Sequence, residues 1–339
     1  MTVNNAFDVI VVGGGNAGLV SALAAHEAGA KVAVVEAAPK AERGGNSRFA
    51  GSIFRIPHGG KDDIEPLLHQ SVKAEIKSVR FGPYTKEKYH EDMAKTTKGR
   101  CDPAQTKVMI DNAYDTVRWM AGKGCKWQLT LGKFFAKDVA RGGIVDMVSG
   151  GVLMSMHEGD GLMDDLFNAV EKTSINIFYG SPATELITEG DTIRGVKTRQ
   201  RDSEISYMGQ GMFCRYESWK DSNISVILAS GGFEANPRMR RQYLGEGWDL
   251  VLVRGTRFNM GAMTEKAIAA GAGSVGHWAG CHATPQDQNA PVVGDLSVSD
   301  RMSRYSVCDP LCVTVETMLI VLRVSLGDKR QCTRQALLR

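Results

Sequence analysis

The feature that most constrains this chain lies in its first 36 residues. Phe7-Asp8-Val9-Ile10-Val11-Val12 is a β-branched run with no polar face, the pattern of a parallel strand buried on both sides. It leads directly into Gly13-Gly14-Gly15-Asn16-Ala17-Gly18, which matches G-x-G-x-x-G at Gly13, Gly15 and Gly18. Leu19 to Ala28 is rich in Ala and Leu, as a helix packed on a sheet should be, and Gly29 can end it in the left-handed conformation. A second strand, Lys31 to Val35, then ends in Glu36. A glycine triplet alone is weak evidence and can be a structural turn. Strand, triplet, helix, strand and terminal carboxylate in that order specify a dinucleotide-binding βαβ unit, and the fold class expected is α/β, Rossmann-like.

Each part has a physical task. Gly13 permits the tight turn, Gly15 lets backbone approach a pyrophosphate, and Gly18 lets helix and strand pack closely. Asn16 and Ala17 lie at the helix N-terminus, where unpaired N–H groups and the positive dipole end face the phosphates. The Glu36 carboxylate arrives about 20 residues on, where it can accept both ribose hydroxyl hydrogens. It suits NAD or FAD and disfavours NADP, whose 2′-phosphate it would repel. Arg43-Gly44-Gly45-Asn46-Ser47-Arg48-Phe49-Ala50-Gly51-Ser52 is a second glycine-rich stretch for which an NAD domain has no evident need. A flavin dinucleotide extends further along the protein and uses one, so FAD is the cofactor expected.

Composition excludes several other classes. A net charge of +3 over 339 residues provides no polybasic field, so no nucleic-acid partner is expected. The seven cysteines are scattered, and Cys308 and Cys312 lack a second Cys or His pair, so no metal site is expected and free thiols are. The first apolar run, Phe7 to Val12, is too short for a signal sequence, and the most apolar late stretch, Leu311 to Leu322, contains Glu316. The expectation is a cytoplasmic protein with no stable membrane insertion. Further strands are expected at Ile175 to Tyr179, Ala183 to Ile187 and Val226 to Ser230, the last followed by Gly231-Gly232. A charged, helical insertion is expected at about 61–130, with Asp115 to Met120 at helical spacing. Gln200 to Asp221 is polar and aperiodic, a β-meander or loop insertion.

Val9 to Gly18, Arg43 to Ile56, Asp115 to Met120, Ala229-Ser230-Gly231-Gly232-Phe233-Glu234-Ala235-Asn236, Val253 to Asn259, Gly276-His277-Trp278 and Cys281-His282-Ala283-Thr284 together resemble the flavoprotein family of fumarate reductases and succinate dehydrogenases. Within that family the chain is most similar to tricarballylate dehydrogenase-type enzymes. The resemblance implies an FAD-binding domain over 1–305 and these roles. Gly45, Asn46 and Ser47 wrap the FAD pyrophosphate and ribityl chain, and Ala50, Gly51 and Ser52 pass the reactive side of the isoalloxazine. No His occupies that segment, so the FAD is expected to be non-covalent. Ala183 lies near adenine, and Ser230, Gly231 and Gly232 approach the cofactor. His282 and Thr284 offer donors to a substrate carboxylate, whereas a lone His is ordinarily a loop residue and His157 beside Glu158 is read as structural.

The activity implied is an FAD-dependent oxidoreductase that transfers hydride between flavin and the C–C bond of a carboxylate. The substrate implied is a tricarballylate-like polycarboxylate or a biosynthetic intermediate, with an unidentified electron acceptor. Ketosteroid-type dehydrogenases and amino-acid oxidases are the rivals within the family. The resemblance stops at about Ser306, and 306–339 reads as a divergent tail produced by truncation, frameshift or alternative splicing. On this reading the substrate-capping region is incomplete and no catalytic residue is assigned. Gly261-Ala262-Met263 also departs from the Gly-Asp-Gly of many relatives. The competing expectation is a catalytically inactive, truncated flavoprotein fragment.

Overall fold

The computed structural model describes residues 6–131, 143–190, 192–200, 203–209, 225–281 and 291–296. Strands β1 (Ala6–Phe7) and β2 (Val9–Val12) lead into helix α1 (Asn16–Glu27) and strand β3 (Val32–Val35). Helix α1 begins three residues before the Ala/Leu-rich segment, with Gly15 as its N-cap, so the glycine turn and the helix share their residues.

The segment between the second glycine stretch and the next long helix is mixed rather than purely helical. It contains β4 (Ile53–Phe54), the short helix α2 (Lys61–Ile64), β5 (Val79–Arg80), α3 (Lys86–Thr96), α4 (Pro103–Gly122), β6 (Trp127–Leu129), β7 (Val145–Asp146) and β8 (Leu153–Ser155). The long helices start where side chains can cap them: Thr85 accepts the Lys88 N–H, and Asp102 accepts the Gln105 N–H ahead of Pro103. Asp115 to Met120 falls inside α4, with Val117 and Met120 buried and Asp115 and Arg118 paired outside.

Helix α5 (Glu158–Val170) is followed by β9 (Asn176–Phe178), β10 (Ala183–Glu189), β11 (Thr192–Gln200), β12 (Ser203–Gly209), β13 (Ser225–Leu228), α6 (Pro237–Leu244) and α7 (Ala262–Ala269). The central sheet is parallel throughout, in the order β13-β2-β3-β9. Its alternate residues feed two cores. Val11, Val32 and Val34 pack with Leu19, Ala22 and Leu23 of α1 and with Leu162, Leu166 and Phe167 of α5. Ile10, Val12, Ala33 and Val35 face Val196 and Tyr207 of the antiparallel β10-β11-β12 meander and Met263 and Ala267 of α7. Burial on both faces explains the continuous apolar run that opens the sequence. β12 belongs to the meander, while 210–224 lie outside the described residues.

Cys125 sits in the first core, and burial pushes its thiol up to about 12. Cys101, only partly buried, is free. Iodoacetamide at neutral pH is therefore expected to label Cys101 in the folded protein and Cys125 only after denaturation, because the thiolate is the nucleophile. Peptide masses before and after guanidinium treatment check this; equal native labelling would contradict the burial. Among the described residues, no helix is long and apolar enough to cross a membrane.

Candidate functional site

The carboxyl ends of β2, β3, β9 and β13 converge, and the loops that leave them build one crevice, the usual ligand position in a parallel sheet. Gly13 follows β2 with φ of +106°, and its N–H donates to Val35 O (2.8 Å). A Cβ there would lie 2.4 Å from Ala229 O, just beyond β13. A Cβ on Gly18 would lie 1.9 Å from Gly13 O, so the third glycine is fixed by contact between helix and turn. Gly15 differs: its φ is −79°, and a Cβ would meet only Ser47 Oγ at 3.4 Å and Gly44 O at 3.7 Å. The first and third glycines thus serve the fold, and the second, partly exposed, makes only ordinary contacts with the second glycine stretch at the N-terminus of α1.

Glu36 is buried at the end of β3. Its Oε2 accepts the Gly14 N–H at 2.5 Å and its Oε1 accepts the Ala38 N–H at 2.7 Å. Burial pushes this carboxyl above the ordinary carboxylate range, against the lowering effect of those backbone bonds. The backbone of Glu36 accepts from Ser181 N–H (2.8 Å), and Ala38 O accepts from Gly180 N–H (2.9 Å). The turn after β9, with Ala183 two residues beyond Ser181, is thereby tied to the acidic end of β3. Ala183 itself pairs with Thr198 in the meander.

The second glycine stretch lies against the first. Gly44 and Gly45 take φ of +113° and +57°, and a 3-10 turn runs over Gly45–Phe49. A Cβ on Gly45 would lie 3.7 Å from Gly15 Cα. Ser47 Oγ accepts the Asn16 N–H (3.0 Å), and Asn46 Oδ1 accepts the Thr256 N–H (2.9 Å). Asn46 and Ser47 thus support the crevice by holding its walls together, a role that local sequence does not reveal.

Three more contacts fix this loop. A Cβ on Gly159 would lie 2.1 Å from Ser47 O, so α5 approaches the turn backbone to backbone. Arg48 pairs with Asp160 (2.7 Å). Arg43 donates to Glu171 Oε1 (2.9 Å) and Tyr179 OH (3.0 Å), with its guanidinium 3.9 Å from the Phe167 ring centroid. The exposed ion pair is worth little by itself, whereas the half-buried stacked guanidinium is the firmer anchor. Sequence reasoning missed Arg43 and Gly159 because their partners lie more than a hundred residues away.

Gly51 and Ser52 follow this loop, Ser52 with φ of +49°. Ser230 and Gly231 lie just past β13, and Gly231 has φ of +69°; a Cβ there would meet Asn259 Nδ2 at 2.4 Å. Gly232 O accepts the Gly261 N–H (2.9 Å), so these glycines also meet the start of α7. His157 is exposed, with φ of +59° at the N-cap of α5. His282 and Thr284 lie outside the described residues.

The residues present fit a dinucleotide. Gly15 and Gly45 keep partly exposed backbone beside a helix N-terminus, a buried carboxylate stands at the next strand end, and Asn16 Oδ1 and Ser52 Oγ are buried without a hydrogen-bond partner. Buried polar atoms of this kind call for a partner; one stands at the first residue of α1 and the other at the end of the second glycine stretch.

Comparison with known proteins agrees. The model of the FAD binding domain family matches residues 8–283. The chain is similar to fumarate reductase (cytochrome) of Shewanella frigidimarina, 30% identical over 231 residues, covering 68% of this chain and 34% of that protein. It is also similar to urocanate reductase of Eggerthella lenta, 25% identical over 308 residues, covering 89% of this chain and 40% of that protein. A solved structure of the open conformation of a flavocytochrome c3 fumarate reductase superposes with a TM-score of 0.63 at 20% identity, covering 84% of this chain and 44% of that one. The chain thus spans about a third to two-fifths of the length of these curated relatives. It belongs to the FAD binding domain family, with the fold of the fumarate reductase and succinate dehydrogenase flavoproteins and FAD as its cofactor.

Proposed function

We propose that this chain is the flavin-binding part of an oxidoreductase that acts on a C–C bond beside a carboxylate, using FAD held without a covalent link. The observation that carries the reading is the partly exposed backbone of Gly15 and Gly45, packed against each other beside the α1 N-terminus, with the buried Glu36 at the end of the next strand. Gly15 and Ala17, beside Asn16 at the α1 N-terminus, would hold the pyrophosphate through backbone N–H groups and the helix dipole, while Gly13 and Gly18 let turn, strand and helix pack closely enough to form the cradle. Glu36 would take the ribose hydroxyls, Gly45, Asn46 and Ser47 would close the turn over the phosphates, and Gly51 and Ser52 would continue toward the flavin ring. Ala183 would meet adenine, and Ser230, Gly231 and Gly232 would line the far wall. The FAD supplies the hydride chemistry when bound; the protein orients it and excludes water.

The substrate class in this reading is a small polycarboxylate resembling tricarballylate, with a separate electron acceptor. His282 and Thr284 would donate to one of its carboxylates. Named relatives that reduce fumarate and urocanate support an unsaturated or saturated carboxylate as the reacting partner.

The purified protein is expected to be yellow and to release FAD, not NAD, into the supernatant on heat precipitation, identified by mass. Flavin that pellets with the protein would contradict the non-covalent assignment, and recovered NAD would overturn the cofactor. Adding tricarballylate anaerobically then tests the substrate class. Bleaching supports the enzyme reading, and FAD that stays oxidised with every carboxylate tried favours a binding fragment without activity.

A further inference from the structure

Backbone strain gathers at one junction. The non-glycine residues with positive φ among the described residues are Ser52 (+49°), Lys98 (+53°), His157 (+59°) and Glu158 (+57°). Three of them meet where the second glycine stretch joins the start of α5. The Ser155 N–H donates to Ser52 O (3.1 Å), Ser155 Oγ donates to Glu158 O (2.6 Å), and the Gly159 N–H donates to Ala50 O (2.9 Å). These bonds hold side-chain-bearing residues in a region they ordinarily avoid, a condition that persists only where the surroundings over-determine it. Glycine would sit at position 52 without strain. The chain instead places there a serine that is 8% exposed and whose hydroxyl has no partner.

The order of contacts gives this hydroxyl a place along the cofactor. Glu36 bonds Gly14, Gly45 faces Gly15, and Ser47 bonds Asn16. A dinucleotide with its adenosine ribose at Glu36 therefore has its pyrophosphate at Gly15 and Ser47, and its second half continues along residues 48–52. Resting on the FAD reading above, we infer that the Ser52 hydroxyl donates a hydrogen bond to the polar edge of the isoalloxazine and so sets the flavin's redox potential. Charge accumulates on that edge when the flavin is reduced, so a donor held there stabilises the reduced form over the oxidised one. Ser52 is a specificity element for the redox state, not an acid or base.

Ser52→Ala keeps the positive φ constraint and removes the hydroxyl, and Ser52→Gly removes both. In FAD-loaded protein both variants are expected to favour oxidised flavin about five- to tenfold more than the unaltered chain. At about 30 mV per tenfold for a two-electron couple this is a fall of about 20–30 mV in midpoint potential, accompanied by a shift in the flavin absorption bands. The glycine variant also melts higher, since its strain is relieved. FAD-loaded variants with unchanged potentials and spectra overturn the inference, and a higher melting temperature in Ser52→Gly alone then marks the strain as structural. An unaltered chain that holds no FAD overturns the cofactor reading itself and the inference with it, on a different sample from the variants.

Discussion

Gly15→Val gives a folded protein with FAD affinity reduced about 5- to 150-fold, whereas Gly18→Ala fails chiefly in stability. The glycines belong to one motif and look alike in sequence, but their surroundings separate them. At Gly15 the backbone is extended enough for any residue, and the nearest atom to an added Cβ is Ser47 Oγ at 3.4 Å. The apo-protein accommodates the substitution at a cost of about 1 kcal/mol, mainly from a poorer N-cap. The new methyl groups fill the space through which a pyrophosphate reaches the backbone, and steric overpacking of roughly 1–3 kcal/mol converts to the affinity loss given. At Gly18 the added Cβ would lie 1.9 Å from Gly13 O, backbone against backbone. Neither side can yield by rotating a side chain, so α1 must lift from β2 at a cost of about 3 kcal/mol or more. Thermal melts of the apo-proteins and FAD titrations separate the two effects. A Gly15→Val protein that binds FAD as well as the unaltered chain would remove the pyrophosphate from this position. A Gly18→Ala protein of unchanged stability would mean that the helix and turn pack differently.

This contrast also shows where the sequence was legible. The βαβ unit could be read because its signals are local: a run buried on both faces, glycines at fixed spacing, and a carboxylate at the next strand end. The walls of the crevice could not. Arg43 is one charged residue before a glycine pair until α5 brings Glu171 and Phe167 beside it. Asn46 reads as a phosphate-loop residue until Thr256, 210 positions on, donates to it. Gly159 has no turn to announce it, because its constraint is the backbone of residues 47–50. The small sheets formed by β4, β5, β6, β7 and β8 escaped notice for a simpler reason: strands of two or three residues are shorter than any alternation pattern.

Glu36→Ala is expected to weaken FAD binding about 10- to 150-fold while costing the apo-protein less. Hydrogen bonds to a charged acceptor are worth roughly 1.5–3 kcal/mol, which is the affinity loss stated. In the folded apo-protein the same carboxylate accepts the Gly14 and Ala38 N–H groups, so its removal also strands two donors. Part of that loss is offset, because burial raises the Glu36 pKa and the ionised form is held at a cost. The sign follows from linkage. A raised folded-state pKa means that the folded protein keeps its proton to higher pH than the unfolded chain. The stability this provides is complete below the ordinary carboxylate value and is lost as pH rises through the folded value. FAD binding runs the other way, since ribose hydroxyls donate more strongly, and to both oxygens, when the carboxylate is ionised than when it is the acid. Affinity for FAD should therefore fall as pH drops through the Glu36 pKa, and this acid limb should vanish in Glu36→Ala. Titrating FAD into both proteins from the ordinary carboxylate range upward in pH measures it. An acid limb of the same size in the variant would assign the titration to another group, and an affinity unchanged by Glu36→Ala would leave the carboxylate a purely structural clasp on the glycine turn.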